Sequence, residues 1–158
     1  MAIELKDLFS NNFFNDRKIL IDEKNTVNVD FLIRDLSCLL NNPSIFLYNE
    51  LPENKSFYGI NIKSEYKGDI YSNETFLDHT FIAKNLFNVT PNSQFSIYRD
   101  NTCTKYDWYN YDFIFLVEPL ASGLCVKFDG MITIKNRHKE FIKLKYKSYT
   151  SKTEYFEF

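Results

Sequence analysis

Near its C-terminus the chain reads FIKLKYKSY (141–149), with Ile142, Leu144 and Tyr146 alternating against Lys143, Lys145 and Lys147. A period of two puts the apolar side chains on one face of an extended strand and the lysines on the other. A helix cannot sort them that way, so the segment predicts a sheet with one covered side and one wet side. The lysine row reads as a solvated face of the kind that protects a sheet edge.

The surrounding sequence continues in β. Gln94–Arg99 (QFSIYR) alternates, Tyr109–Glu118 reads as a longer strand stopped by Pro119, and TEYFEF (153–158) closes the sheet. Leu124–Phe128 and Met131–Lys135 flank Asp129-Gly130, a dipeptide that predicts a hairpin turn. NRHK (136–139) predicts a second turn. Upstream, Ser44–Glu50 and residues 56–66 read as strands, with Lys67-Gly68 as a turn; Ile19–Ile21 is a short extended piece. Helical periodicity is confined to three places. Ile3, Leu5, Leu8 and Phe9 predict a short helix over 2–9. Val29, Leu32, Ile33, Leu36, Leu39 and Leu40 form a stripe that Asn28 or Asp30 can cap and Asn41-Asn42-Pro43 ends. Residues 72–87 place Phe76, Leu77, Thr80, Phe81, Ala83 and Phe87 on one face and predict the third.

A chain of 158 residues is one domain, 1–158, able to bury about 70% of its unfolded surface without metal or disulfide staples. The expected class is α+β: a curved antiparallel sheet with two or three helices packed on one face. The element order resembles the NTF2-like cone, which implies a pocket inside the curved sheet.

Several chemistries are not expected. The glycines, Gly59, Gly68, Gly123 and Gly130, are too far apart for a phosphate-cradling loop. Cys38, Cys103 and Cys125 lack paired spacing, and with His79 and His138 they make five scattered ligands, not a zinc site. His79 sits beside Asp78 in the predicted third helix, where a solvated histidine is the simpler reading than a general base. No nucleophile motif occurs, so neither an enzyme nor a cofactor or metal is expected. The opening MAIELKDLFS lacks the apolar core of a signal peptide, and no apolar run approaches the length of a membrane span. A cytoplasmic location is expected, with no membrane partner. Residues 1–126 carry 11 basic and 17 acidic side chains, residues 127–158 carry 8 and 4. This overall acidity argues against a dedicated nucleic-acid binder, although the asymmetry can steer a charged partner to one face.

The segment that points toward function is KYDWYNYDF (105–113), with five aromatic rings and two aspartates in nine positions. As part of a strand it sends Tyr109, Tyr111, Phe113, Phe115 and Val117 to the core, and Tyr106, Trp108, Asn110 and Asp112 to the other face. With Asp107 these form a candidate partner-binding patch, because tyrosine and tryptophan dominate interface hot spots and carboxylates select a basic partner. Glu65 and Asp69 supply a second acidic patch. In size, composition, acidic aromatic surface and want of catalytic motifs, the chain resembles bacterial immunity proteins of contact-dependent inhibition and related polymorphic toxin systems. That resemblance is one of general character and rests on no signature motif. It implies a cognate toxin as partner, basic and of nuclease type, neutralised by binding. The other class that fits is a small ligand-binding or enzymatic α+β domain with its pocket inside the sheet.

Overall fold

The computed structural model describes residues 1–10, 13–25, 27–46, 60–62, 75–78, 94–99, 101–123, 125–137 and 139–158. The described strands are β1 (Ile19–Glu23), β2 (Ser44–Phe46), β3 (Asn61–Ile62), β4 (Thr75–Asp78), β5 (Phe95–Tyr98), β6 (Phe113–Glu118), β7 (Gly130–Asn136), β8 (Lys139–Ser148) and β9 (Thr153–Glu157). The described helices are α1 (Leu5–Leu8), α2 (Asp30–Ser37) and α3 (Lys105–Trp108). All the strands join one sheet in the order β3-β2-β4-β5-β1-β6-β7-β8-β9.

The α+β class holds, and the antiparallel expectation is met by β6 through β9. The other half departs from it: β3, β2, β4, β5, β1 and β6 pair in parallel. Thus the sheet is mixed, which a wholly antiparallel cone is not. Parallel strands are covered on both faces, and β1 and β4 are accordingly buried along their whole length. The extended piece expected at Ile19–Ile21 is a strand, the middle one of the sheet, paired with β5 on one side and β6 on the other. One expectation is corrected. Within the helix expected over 72–87, Thr75–Asp78 is a strand; Phe76 and Leu77 are each buried to 0% exposure, on opposite faces. A short run that is apolar on both sides carries no period to tell strand from helix. The rest of that expected helix, His79 included, lies outside the described residues, as do Glu65, Asp69 and most of the predicted strand at 56–66.

One face of the sheet carries the main core. Ile19, Ile21, Phe95, Ile97, Phe113, Phe115, Ile132, Ile134, Leu144, Tyr146 and Tyr155 point into it beneath α1, α2 and the segment between α1 and β1. Phe9, Phe13 and Phe14 from that segment interlock edge to face with Phe115, Phe113 and Phe95, geometries that suit the ring quadrupole. Helix α2 lays down its predicted stripe of Val29, Leu32, Ile33 and Leu36, and Phe31 stacks on Tyr146 at 4.2 Å. Asn28 does its capping one step early: its Oδ1 accepts from the Asp30 amide at 2.7 Å. Arg34 ties α2 to the β8–β9 turn, donating to the carbonyls of Tyr149 and Thr150 and to Oγ1 of Thr153.

Two turn expectations divide. NRHK does join β7 to β8, with Arg137 in the left-handed region at φ 40°. Asp129-Gly130 is not a hairpin, because residues 119–129 form the whole connection from β6 and Gly130 is the first residue of β7. That glycine is required by space. A Cβ there would stand 2.7 Å from the Tyr146 hydroxyl and 2.8 Å from the Glu118 carbonyl oxygen. The lysine-bearing strand is also not at an edge: β8 lies between β7 and β9. Among the described residues no helix is long and apolar enough to cross a membrane.

Candidate protein-binding surface

The ring-rich segment is not a strand until Phe113. Residues 105–108 form α3, one turn closed by a reciprocal cap: Asp107 accepts from the amide of Thr104 at 2.8 Å and from its hydroxyl at 3.1 Å. The Thr-Lys-Tyr-Asp sequence is a capping-box pattern, a signal present in the sequence that the strand reading passed over. The chain then turns through Asn110, whose amide donates to the Asp107 carbonyl, and Tyr111, whose amide donates to that of Trp108.

This geometry redistributes the predicted patch. Tyr106 is 83% exposed and Tyr109, expected in the core, is 60% exposed. Asn110 is exposed beside them, whereas Trp108, Asp107 and Asp112 are half-buried. Trp108 lies over the second face of the sheet with Tyr98, packing on a small cluster of Leu20, Cys103, Tyr111 and Ile114. Its indole N–H donates to Asp22 at 3.1 Å, and the Lys135 ammonium sits 4.7 Å from its ring centre. Asp112 holds the far end of the segment: its Oδ2 accepts from the Lys18 amide at 2.8 Å, and its Oδ1 lies 3.4 Å from the Arg137 guanidinium. Both acids are thereby engaged with the protein's own backbone. They hold the tyrosines in place more than they reach outward.

Beneath the rings lies a polar group that sequence reasoning missed. Asp22 is completely buried on the second face of β1. The Lys24 ammonium stands 3.1 Å from its Oδ1, an ion-pair distance, and the same ammonium donates to the Cys103 carbonyl. Burial pushes the Asp22 carboxyl up, and the contacts from Lys24 and Trp108 offset only part of that. Cys103 is 6% exposed. Burial first, then the charges of Asp22 and Asp107, raises its thiol well above the ordinary range. A nucleophilic cysteine needs the opposite shift.

On the core side a second charged group closes the carboxyl ends of the parallel strands. Arg99 donates to Asp78 at 2.9 Å and to Glu23 at 3.0 Å, with Asp30 at 3.4 Å. The guanidinium fills the space among the three carboxylates. Among the described residues no group of three or more histidine, cysteine or acidic side chains is arranged to hold a metal. Nearby, a cavity of about 460 Å³ opens between the start of α2 and the β8–β9 turn, lined in part by Asn28, Asp30, Phe31, Asp129 and Tyr149. It lies at the end of the sheet.

No family model matches this chain, and no curated protein matches its sequence.

Proposed function

We propose that this protein is a binding inhibitor, an immunity protein that neutralises a cognate bacterial toxin in the cytoplasm by covering part of its surface with the α3 segment. The observation that carries this reading is the pair Tyr106 and Tyr109, 83% and 60% exposed on a turn fixed at both ends. Exposed rings are costly to leave in water and valuable at an interface. A turn held before binding spares the ordering entropy that a loose loop loses on docking. Asp107 and Asp112 add negative charge at the rim of the rings, which favours encounter with a basic toxin such as a nuclease. About 800 Å² per partner around these anchors is enough for a stable complex.

The reading requires a toxin-like reading frame next to this chain's gene. Its C-terminal domain should co-purify with the protein, and Tyr106→Ala with Tyr109→Ala should break the complex. No such neighbour, or no complex at any salt concentration, would overturn it. The cavity near α2 favours the second class, a small ligand-binding domain. There a screen of polar metabolites by thermal shift should find a stabiliser whose effect Asp30→Asn removes.

A further inference from the structure

The cavity of about 460 Å³ between the start of α2 and the β8–β9 turn gathers rings and carboxylates from separate elements. Phe31 of α2 and Tyr146 of β8, stacked at 4.2 Å, both line it. Tyr149, 46% exposed, stands in the turn after β8. Asp30 opens α2 and Asp129 directly precedes β7. A space of this size holds a small molecule.

Three cations at or near the cavity are engaged. Arg34 donates to Asp35 and to the carbonyls of Tyr149 and Thr150. Lys147 is bonded to Asp129 at 2.8 Å, and Lys152, 5.8 Å from the Tyr149 ring centre, is bonded to Glu154. Asp30 is the least compensated of the acids around Arg99. Its side chain is 32% exposed, and Arg99 gives it the longest of three contacts, 3.4 Å against 3.0 Å for Glu23 and 2.9 Å for Asp78.

Tyr146 supplies an independent observation. It is 3% exposed, yet its hydroxyl makes no hydrogen bond with any described residue. Buried phenols ordinarily find a partner, and the cavity that Tyr146 lines is the side from which one can come. Burial first, then the charges of Asp129 and Glu23, push this phenol up. Both of those charges are negative, so the field at this wall favours a positive group.

We infer that the cavity binds a small organic cation, its ammonium or guanidinium head against Asp30 and the Tyr146 hydroxyl and its body against the rings. The inference rests on the second reading above, that a small ligand occupies this cavity, and names the ligand's chemistry. Aromatic faces attract a cation and cover its apolar stem, while a half-buried carboxylate fixes the head. An anionic ligand would meet the like charges of Asp30 and Asp129.

The test is calorimetric titration of the full chain at neutral pH with tyramine and with agmatine. Beside them run 2-(4-hydroxyphenyl)ethanol and 4-hydroxyphenylacetate, which replace the tyramine ammonium by a neutral and an anionic head. At least one of the two amines should bind, with tyramine about ten- to a hundred-fold tighter than its alcohol if tyramine is the one. Asp30→Asn should remove a similar factor from the amine that binds. Tyr149→Ala should weaken it about two- to five-fold, and this half-exposed position keeps the test available if Asp30→Asn fails to fold by circular dichroism. Binding of the alcohol or the acid as tight as that of tyramine overturns the inference and leaves the cavity a ligand site of another kind. Binding of neither amine at millimolar concentration overturns it too, and the wider metabolite screen then decides the second reading by itself. Amine binding indifferent to both Asp30→Asn and Tyr149→Ala, or tighter binding of a lysine blocked at both ends, which mimics a protein side chain, also overturns it.

Discussion

The indole N–H of Trp108 donates to the buried carboxylate of Asp22 across 3.1 Å, joining residues 86 apart in sequence. Through this bond the α3 segment and the middle strand of the sheet share one polar group, so the exposed surface and the interior are tuned together. Trp108→Phe keeps most of the packing but removes a donor from a buried charge. It should lower stability by about 1–3 kcal/mol in urea unfolding.

Asp22 also predicts a pH dependence. Its folded carboxyl titrates above its unfolded value, so in the window between the two the native state binds more protons than the unfolded chain. Stability from this group therefore rises as pH falls through the folded pKa and levels off below the unfolded value. The stability of the wild type relative to Asp22→Asn should increase as pH is lowered from neutral toward about 4. A difference that stayed flat or shrank would contradict the burial argument.

The two tyrosines and the two aspartates of the α3 segment should separate cleanly by assay. Tyr106→Ala removes a side chain that is 83% exposed and should change stability by no more than about 0.5 kcal/mol, while Tyr106→Ala and Tyr109→Ala should each weaken partner binding by more than about 1 kcal/mol. Asp107→Ala removes a cap and should cost about 1 kcal/mol in stability. Its effect on binding comes through a slower on-rate and a looser turn. Calorimetry with the toxin domain alongside thermal unfolding distinguishes the two patterns.

Gly130 should tolerate no side chain. The Gly130→Ala Cβ would meet two oxygens at under 3 Å, and relief requires β7 to shift against β6. A loss of about 1–3 kcal/mol is expected. Tyr146→Phe in the same background should recover only part of it, since the Glu118 carbonyl stays where it is.

Arg99→Met should be among the most damaging single changes. Glu23 and Asp78 are 5% and 2% exposed, and the guanidinium bridges them. Removing one partner of such a buried group costs about 3–5 kcal/mol at neutral pH. Part of that loss should return in acid, where the carboxyls take up protons.

What could be read from the sequence follows the solvent. β8 was legible because one of its faces is dry and the other wet, and α2 because its stripe of Val29, Leu32, Ile33 and Leu36 faces a core while its other side does not. β4 was opaque for the converse reason, and β1 was read only as a short extended piece: covered on both faces, they carry no alternation. The α3 turn was hidden by its own rings, whose strand preference outweighed the Thr104–Asp107 cap. Tyr106 and Asn110 were rightly expected at the surface. Asp22 and Arg99 were missed because their partners come from distant parts of the chain, and a single sequence carries no trace of that meeting.

The placement of β1 sets an order of events during synthesis. Ile19 pairs with Phe95 on one side and Phe113 on the other, so the earliest strand to leave the ribosome waits for strands made far later. Until then an apolar segment with open hydrogen-bonding edges on both sides is offered to any passing chain. The meander of β6 through β9 needs only neighbouring sequence and closes quickly. Slowed translation between β1 and β5 prolongs that exposure and should therefore lower the soluble yield.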